Sequence, residues 1–209
     1  MWDSGSLRTS PISTSQEKYR DPNPVVRYVI QRFFGRIREV VAEFDPGTVL
    51  DAGCGEGELL RRKVLPSSVA VSCLDLSPES LAEVRRHSTP RSLICGSVLA
   101  LPVAAASFDV VLCMEVLEHL ENPRAAAEEV ARAARLAAVF SVPWEPWFRV
   151  GNVFRGKHLS RLGNHPEHIQ HWNPRTFRAF LSKSFSDIRL VGAFPWIIAC
   201  CRASGRLSR

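Results

Sequence analysis

Apolar positions recur at two spacings along this chain, and the alternation between them lays out an architecture. Val26, Ile30, Phe33, Ile37, Val41 and Phe44 fall three or four residues apart, the spacing of one buried helix face. Asn23 and Pro24 ahead of them suit a cap and a first helical position, and Asp45-Pro46-Gly47 stops the helix. A short apolar run with Thr48 at its start reads as a buried strand. Val69 to Leu74 is a second strand, closed by Asp75, and Ser77-Pro78-Glu79 opens a helix to about His87. Arg91 to Cys95 is a third strand. Phe108 to Met114 is a fourth, continuously apolar as expected of a strand covered on both faces. An Ala-rich helix from Asn122-Pro123 to about Arg135 leads to a fifth strand, Leu136 to Val142. Pro174 to Ser182 is helical, and strands near Ile188 to Val191 and Trp196 to Cys200 are expected as an antiparallel addition at the sheet edge. Strand and helix alternate every ~20 to 30 residues, the mark of a parallel sheet with right-handed crossovers. The expected fold is α/β, a doubly wound, mostly parallel sheet with an antiparallel edge strand.

Two stretches break that rhythm. Residues 1–22 are rich in Ser, Thr, Pro and charge, without an apolar period, and are expected to be a flexible arm. Residues 143–173 carry Trp144, Trp147, Phe148, Trp172 and four histidines with no clear period, an insertion into what is otherwise a single domain over 23–209. At 209 residues the chain can bury a full core without staples. The six cysteines form no Cys-x-x-Cys pair, so free thiols are expected rather than zinc or disulfides. No stretch is a membrane span, and the amino terminus lacks the basic region and apolar core of a secretory signal, so a cytoplasmic address is expected. The net charge of +6 is uneven: residues 143–209 hold 11 Lys or Arg against three acids, and residues 1–142 hold 16 against 18. The basic excess beside the insertion suits an anionic partner.

The chemistry concentrates after the first strand, where Asp51-Ala52-Gly53-Cys54-Gly55-Glu56-Gly57 places glycine at every second position. The spacing departs from the Gly-x-Gly-x-x-Gly of a pyrophosphate cradle, and an acid precedes it directly. A carboxylate beside bare backbone suits an aminoacyl group, its ammonium at Asp51 and its chain along the glycines. Other candidates also end strands: Asp75 the second, able to accept from two ribose hydroxyls, Ser97 and Val98 after the third, Met114-Glu115 after the fourth. Ligands of an open α/β sheet bind at those carboxyl ends.

These segments, with Leu74-Asp75-Leu76-Ser77, Leu101-Pro102 and Phe108 through Glu115-Val116-Leu117-Glu118-His119-Leu120, resemble class I S-adenosylmethionine-dependent methyltransferases of the methyltransferase-11-like bacterial type over about 100 residues. The resemblance implies the seven-stranded, Rossmann-like fold of that class and S-adenosylmethionine as cofactor. It places Asp51, Ala52, Gly53, Cys54 and Gly55 along the methionine moiety, Asp75 on the ribose, and Leu76, Ser97 and Val98 around the adenine, with Met114 beside them. Serine at 97 departs from the Asp usual in the family.

Methyl transfer to a hydroxyl needs a group to take its proton, and His119, with Glu118 beside it, stands just past the fourth strand. The pattern Glu115, Glu118, His119 also resembles ubiquinone-pathway O-methyltransferases and small-RNA 3′-terminal 2′-O-methyltransferases. In the latter glutamates and histidines hold a divalent metal, which implies Glu115, Glu118, His119 and His168 as the set for a metal-assisted RNA enzyme. The expected reading is metal-free O-methylation of a small-molecule or lipid- or glycan-linked acceptor, without a nucleic-acid partner. A non-catalytic S-adenosylmethionine-binding protein is the alternative of a different class. The insertion supplies the candidate acceptor contacts: Trp144, Trp147, Arg155, His158, His168, His171 and Trp172.

Overall fold

The computed structural model describes residues 22–144 and 169–203, so all but the last residue of the expected arm over 1–22, and residues 145–168 of the expected insertion over 143–173, lie outside the described residues. Helix α1 (Pro24–Ala42) starts as its sequence directs, with the Asn23 side chain accepting from the Val25 N–H and Pro24 in the first turn. Strand β1 (Thr48–Ala52) leads through the glycine loop into a single turn, α2 (Glu58–Arg61). Then come β2 (Ala70–Asp75), α3 (Pro78–His87) capped by Ser77, β3 (Ser92–Cys95) and β4 (Phe108–Met114). A 3₁₀ turn over Leu117–His119, α4 (Pro123–Ala133), β5 (Ala134–Pro143), α5 (Pro174–Leu181), β6 (Asp187–Ala193) and β7 (Trp196–Arg202) complete the order.

The seven strands form one sheet in the order β3-β2-β1-β4-β5-β7-β6. The first five run parallel, and β7 runs antiparallel to both β5 and β6. The final hairpin folds inward, so β7 lies between β5 and β6. Burial explains that choice: β7 is buried at every residue but the last, whereas β6 alternates with exposed positions and tolerates the edge. Side chains alternate across the sheet with period two. Val49, Val110 and Leu112 pack toward α1 and α3, while Leu50, Val111 and Cys113 pack toward α4 and α5, which gives two apolar layers.

Two details differ from the sequence reading. β5 begins at Ala134, inside the expected helix, because Ala134 turns to extended backbone and pairs with Phe108. Alanine favours helix locally, and the sheet overrides it. Cys95 is exposed; all six cysteines are free, as expected. Among the described residues no helix is long and apolar enough to cross a membrane.

One side-chain clamp fixes the connection from β3 to β4. Arg132 donates to the Val103 carbonyl at 2.7 Å and the Leu101 carbonyl at 2.9 Å, while its partner Glu129 accepts from the Leu101 N–H at 2.7 Å. Arg132→Ala is expected to destabilise the fold by about 1–2 kcal/mol, since the carbonyls regain water on one side only. A shift of the denaturation midpoint in urea at unchanged slope checks this.

Candidate functional site

Strand order reverses between β1 and β4, with β2 on one side of β1 and β4 on the other, and the glycine loop leaves β1 at that point. The loop is held almost entirely by β2. The Gly53 and Cys54 N–H groups both donate to the Leu74 carbonyl, at 2.8 and 2.9 Å, and the Gly55 N–H donates to Asp75 Oδ2 at 2.7 Å. Gly53, Gly55 and Gly57 all adopt positive φ, the conformation glycine takes without strain. Their surroundings differ. A Cβ on Gly53 would lie 2.5 Å from Val116 and one on Gly57 2.9 Å from Val84, whereas one on Gly55 would meet nothing within 4 Å. Gly53 and Gly57 are therefore packing positions, and Gly55 is the loop glycine that opens onto free space.

Acidic and apolar groups stand at the ends of the strands that carry the loop. Asp51, 3% exposed at the end of β1, has its carboxyl pushed up to about 7 by burial and, secondarily, by the charge of Asp75. Asp75 is half-buried and uses both oxygens internally, with Oδ1 accepting from the Ser77 N–H at 2.9 Å. The helix cap itself is Ser77, so Asp75 is a tether of the loop rather than a cap. Each oxygen keeps a second lone-pair direction for a ligand. Leu76 is 64% exposed although large and apolar, Val98 is buried, and Ser97 is half-buried with its hydroxyl accepting from the Leu99 N–H. Cys54 faces inward: a hydrogen bond with Cys73 and burial push its thiol pKa up, so it is no nucleophile.

Residues 50–141 match the methyltransferase domain family. The ubiquinone biosynthesis O-methyltransferase of Caulobacter vibrioides is 28% identical over 193 residues, 84% of this chain and 72% of that protein. Its namesake from Azoarcus sp. is 38% identical over 92 residues, and that match spans 42% of this chain and 39% of the relative. The methyltransferase domain of bacterial CtHen1 superposes with a TM-score of 0.67 at 22% identity, over 83% of this chain and 99% of that one. Residues 50–141 form a class I S-adenosylmethionine-dependent methyltransferase domain. Its cofactor fits the site as built: open space at Gly55, two carboxylates, and an exposed apolar side chain at Leu76.

Val116 lies directly over Gly53, so the corner that follows β4 abuts the glycine loop. Met114 ends β4 half-buried. Glu115 has φ of +57°, an uncommon conformation for a residue with a Cβ. It is held there by its N–H donating to the Ser141 carbonyl and hydroxyl, by Ser141 Oγ donating to Oε1, and by Trp196 Nε1 donating to Oε2 at 2.6 Å. Glu118 is 1% exposed and His119 is exposed, so this neighbouring pair lies in different environments. The Glu118 carbonyl accepts from the N–H groups of Ile169 and Gln170, which brings the end of the insertion to the same corner. Trp144 and Trp172 form a bridge beside it, Trp172 buried with its indole N–H unpartnered, and His171 is exposed. Trp147, Arg155, His158 and His168 lie outside the described residues. Among the described residues no group of three His, Cys, Asp or Glu is placed to hold a metal ion. Ser141, Trp196 and Val116 were not legible as site residues, because nothing local in the sequence announces a positive φ at Glu115.

Proposed function

We propose that this domain transfers a methyl group to a hydroxyl of a small, quinone-like acceptor, with lipid- or glycan-linked hydroxyls as the wider class. The observation that carries the reading is the contact of Val116 with Gly53, which sets Glu115–His119 against the cofactor loop. The similarity to ubiquinone biosynthesis O-methyltransferases supports the acceptor class. S-adenosylmethionine supplies a methyl group on a cationic sulfur. Within the chain, Asp51 receives the ammonium beside Ala52, Gly53, Cys54 and Gly55, and Asp75 receives the ribose hydroxyls. Leu76 and Val98 cover the adenine, with Ser97 at its edge and Met114 beneath. His119 takes the hydroxyl proton, and Glu118 holds the corner through its carbonyl. The segment over 143–173 recognises the acceptor, with Trp144, His171 and Trp172 at its described ends.

Transfer of labelled methyl from S-adenosylmethionine to a panel of catechols and hydroquinones, with and without EDTA, tests the reading. Methylated phenol ethers that form in EDTA are the expected products. Activity restored only by a divalent ion, on an RNA 3′ end, would establish the metal-assisted reading of Glu115, Glu118, His119 and His168 instead. Cofactor binding without turnover on any acceptor would leave a binding protein. His119→Ala is expected to lower kcat about a hundredfold with S-adenosylhomocysteine affinity unchanged; equal turnover in the variant removes His119 as the base.

A further inference from the structure

We infer that His87, at the last position of α3, is a positioning residue for the cofactor, acting through the glycine loop; the inference rests on that loop being the S-adenosylmethionine site. His87 Nε2 lies 2.8 Å from the Glu56 carbonyl and Nδ1 lies 2.7 Å from Ser88 Oγ. A carbonyl oxygen only accepts, so Nε2 carries the proton and donates it to Glu56. In the neutral ring Nδ1 then accepts from the Ser88 hydroxyl, and the two bonds together fix the plane of the imidazole.

The other loop anchors show why this contact bears on binding. Gly53, Cys54 and Gly55 are tied to Leu74 and Asp75, which all concerns the first half of the loop. The second half turns on the Gly57 N–H bonded to the Cys54 carbonyl and on Gly57 packed against Val84 of α3, with His87 Cε1 3.4 Å from where a Cβ would stand. His87 thus gives the Glu56–Gly57 half a hydrogen bond to α3. A loop ordered before the ligand arrives spares the ligand that ordering cost, so releasing the anchor lowers affinity without removing any ligand contact. His87 is half-buried at the last position of α3, one turn beyond the buried Val84.

The positions of amide nitrogens provide the test. A Gln side chain can place its amide nitrogen near the site of His Nε2, and an Asn side chain near that of Nδ1. In calorimetry with S-adenosylhomocysteine, His87→Ala and His87→Asn are expected to weaken binding roughly three- to tenfold. His87→Gln is expected to bind within about twofold of the unaltered chain. Thermal midpoints of the three variants should agree with one another, so that affinity and not folding separates them. Long-range ¹H–¹⁵N spectra of the ligand-free protein should show His87 as the Nε2–H tautomer. Unchanged affinity in His87→Ala, equal loss in the Gln and Asn variants, or an Nδ1–H tautomer would each overturn the assignment. Failure of the unaltered chain to bind S-adenosylhomocysteine at all would overturn the cofactor site itself, whereas loss of acceptor turnover alone leaves the His87 result standing.

Discussion

Asp75→Ala is expected to weaken S-adenosylmethionine binding about a hundredfold, the larger effect on the cofactor of any single change considered. The carboxylate has two tasks at once. It fixes the loop by accepting from the Gly55 and Ser77 N–H groups, and in the proposed site its remaining lone pairs would accept from the ribose hydroxyls. Alanine removes both, leaving two backbone donors without an acceptor and the ribose without a charged partner. Charge-assisted bonds contribute about 1.5–3 kcal/mol each, so loss of even the weaker pair gives two decades in Kd. Asp75→Asn separates the tasks. Its amide keeps one acceptor oxygen, but its NH₂ group opposes one of the two N–H donors, so the loop loosens while the shape is kept. Calorimetry should rank the chains as unaltered, then Asn, then Ala. An Ala variant that binds within threefold of the unaltered chain would remove Asp75 from the ribose.

The setting of the glycine loop could be read from residues alone, and the reason is local. Asp51, the three glycines and Asp75 lie at strand ends, where an apolar run, a turn former and an acid occur together within a few positions. The parallel direction of β1 to β5 followed from strand and helix alternation, whereas their order in the sheet is set by the structure. The inward place of β7 is not read from the sequence, which puts both last strands at the sheet edge; in the structure Trp196-Ile197-Ile198-Ala199-Cys200-Cys201 has no solvent face, while β6 interleaves Asp187, Arg189 and Gly192. What could not be read depends on long-range contacts. Trp196 reaches Glu115 across 81 positions and Val116 reaches Gly53 across the switch point. No period or motif encodes such a pairing. Nor does sequence distinguish Gly55 from its neighbours; only the surroundings show that Gly53 and Gly57 make room for Val116 and Val84.

The corner after β4 is braced from two other strands. Glu115 is anchored on both oxygens by neutral donors from β5 and β7, a costly arrangement for a residue with positive φ. Such strain persists where surrounding structure fixes it, and here Ser141 is fully buried and Trp196 nearly so. The corner is thus presented to the loop as a rigid unit, which suits a reaction whose catalysis is largely alignment.

Asp51→Asn is expected to stabilise the ligand-free protein above pH 7 while weakening cofactor binding. Burial and the nearby Asp75 charge raise the Asp51 carboxyl from 3.8 to about 7. A folded-state pKa above the unfolded value means that the folded chain holds the proton more tightly. The stability from this group is full below pH 3.8 and is lost as pH rises through 7. The shift of about three units corresponds to roughly 4 kcal/mol. The Asn variant lacks this titration, so its advantage over the unaltered chain should grow from pH 4 to pH 7 and then level off; urea titrations at several pH values measure it. An ammonium group at Asp51 reverses the balance by favouring the carboxylate. Binding of S-adenosylhomocysteine at pH 6 should therefore release a proton, seen as a calorimetric heat that changes with the ionisation enthalpy of the buffer. At pH 8.5 the carboxylate is already ionised and its share of that dependence should vanish, and in Asp51→Asn it should be missing at pH 6 as well. Identical buffer dependence in the two chains at pH 6 would place the ammonium elsewhere.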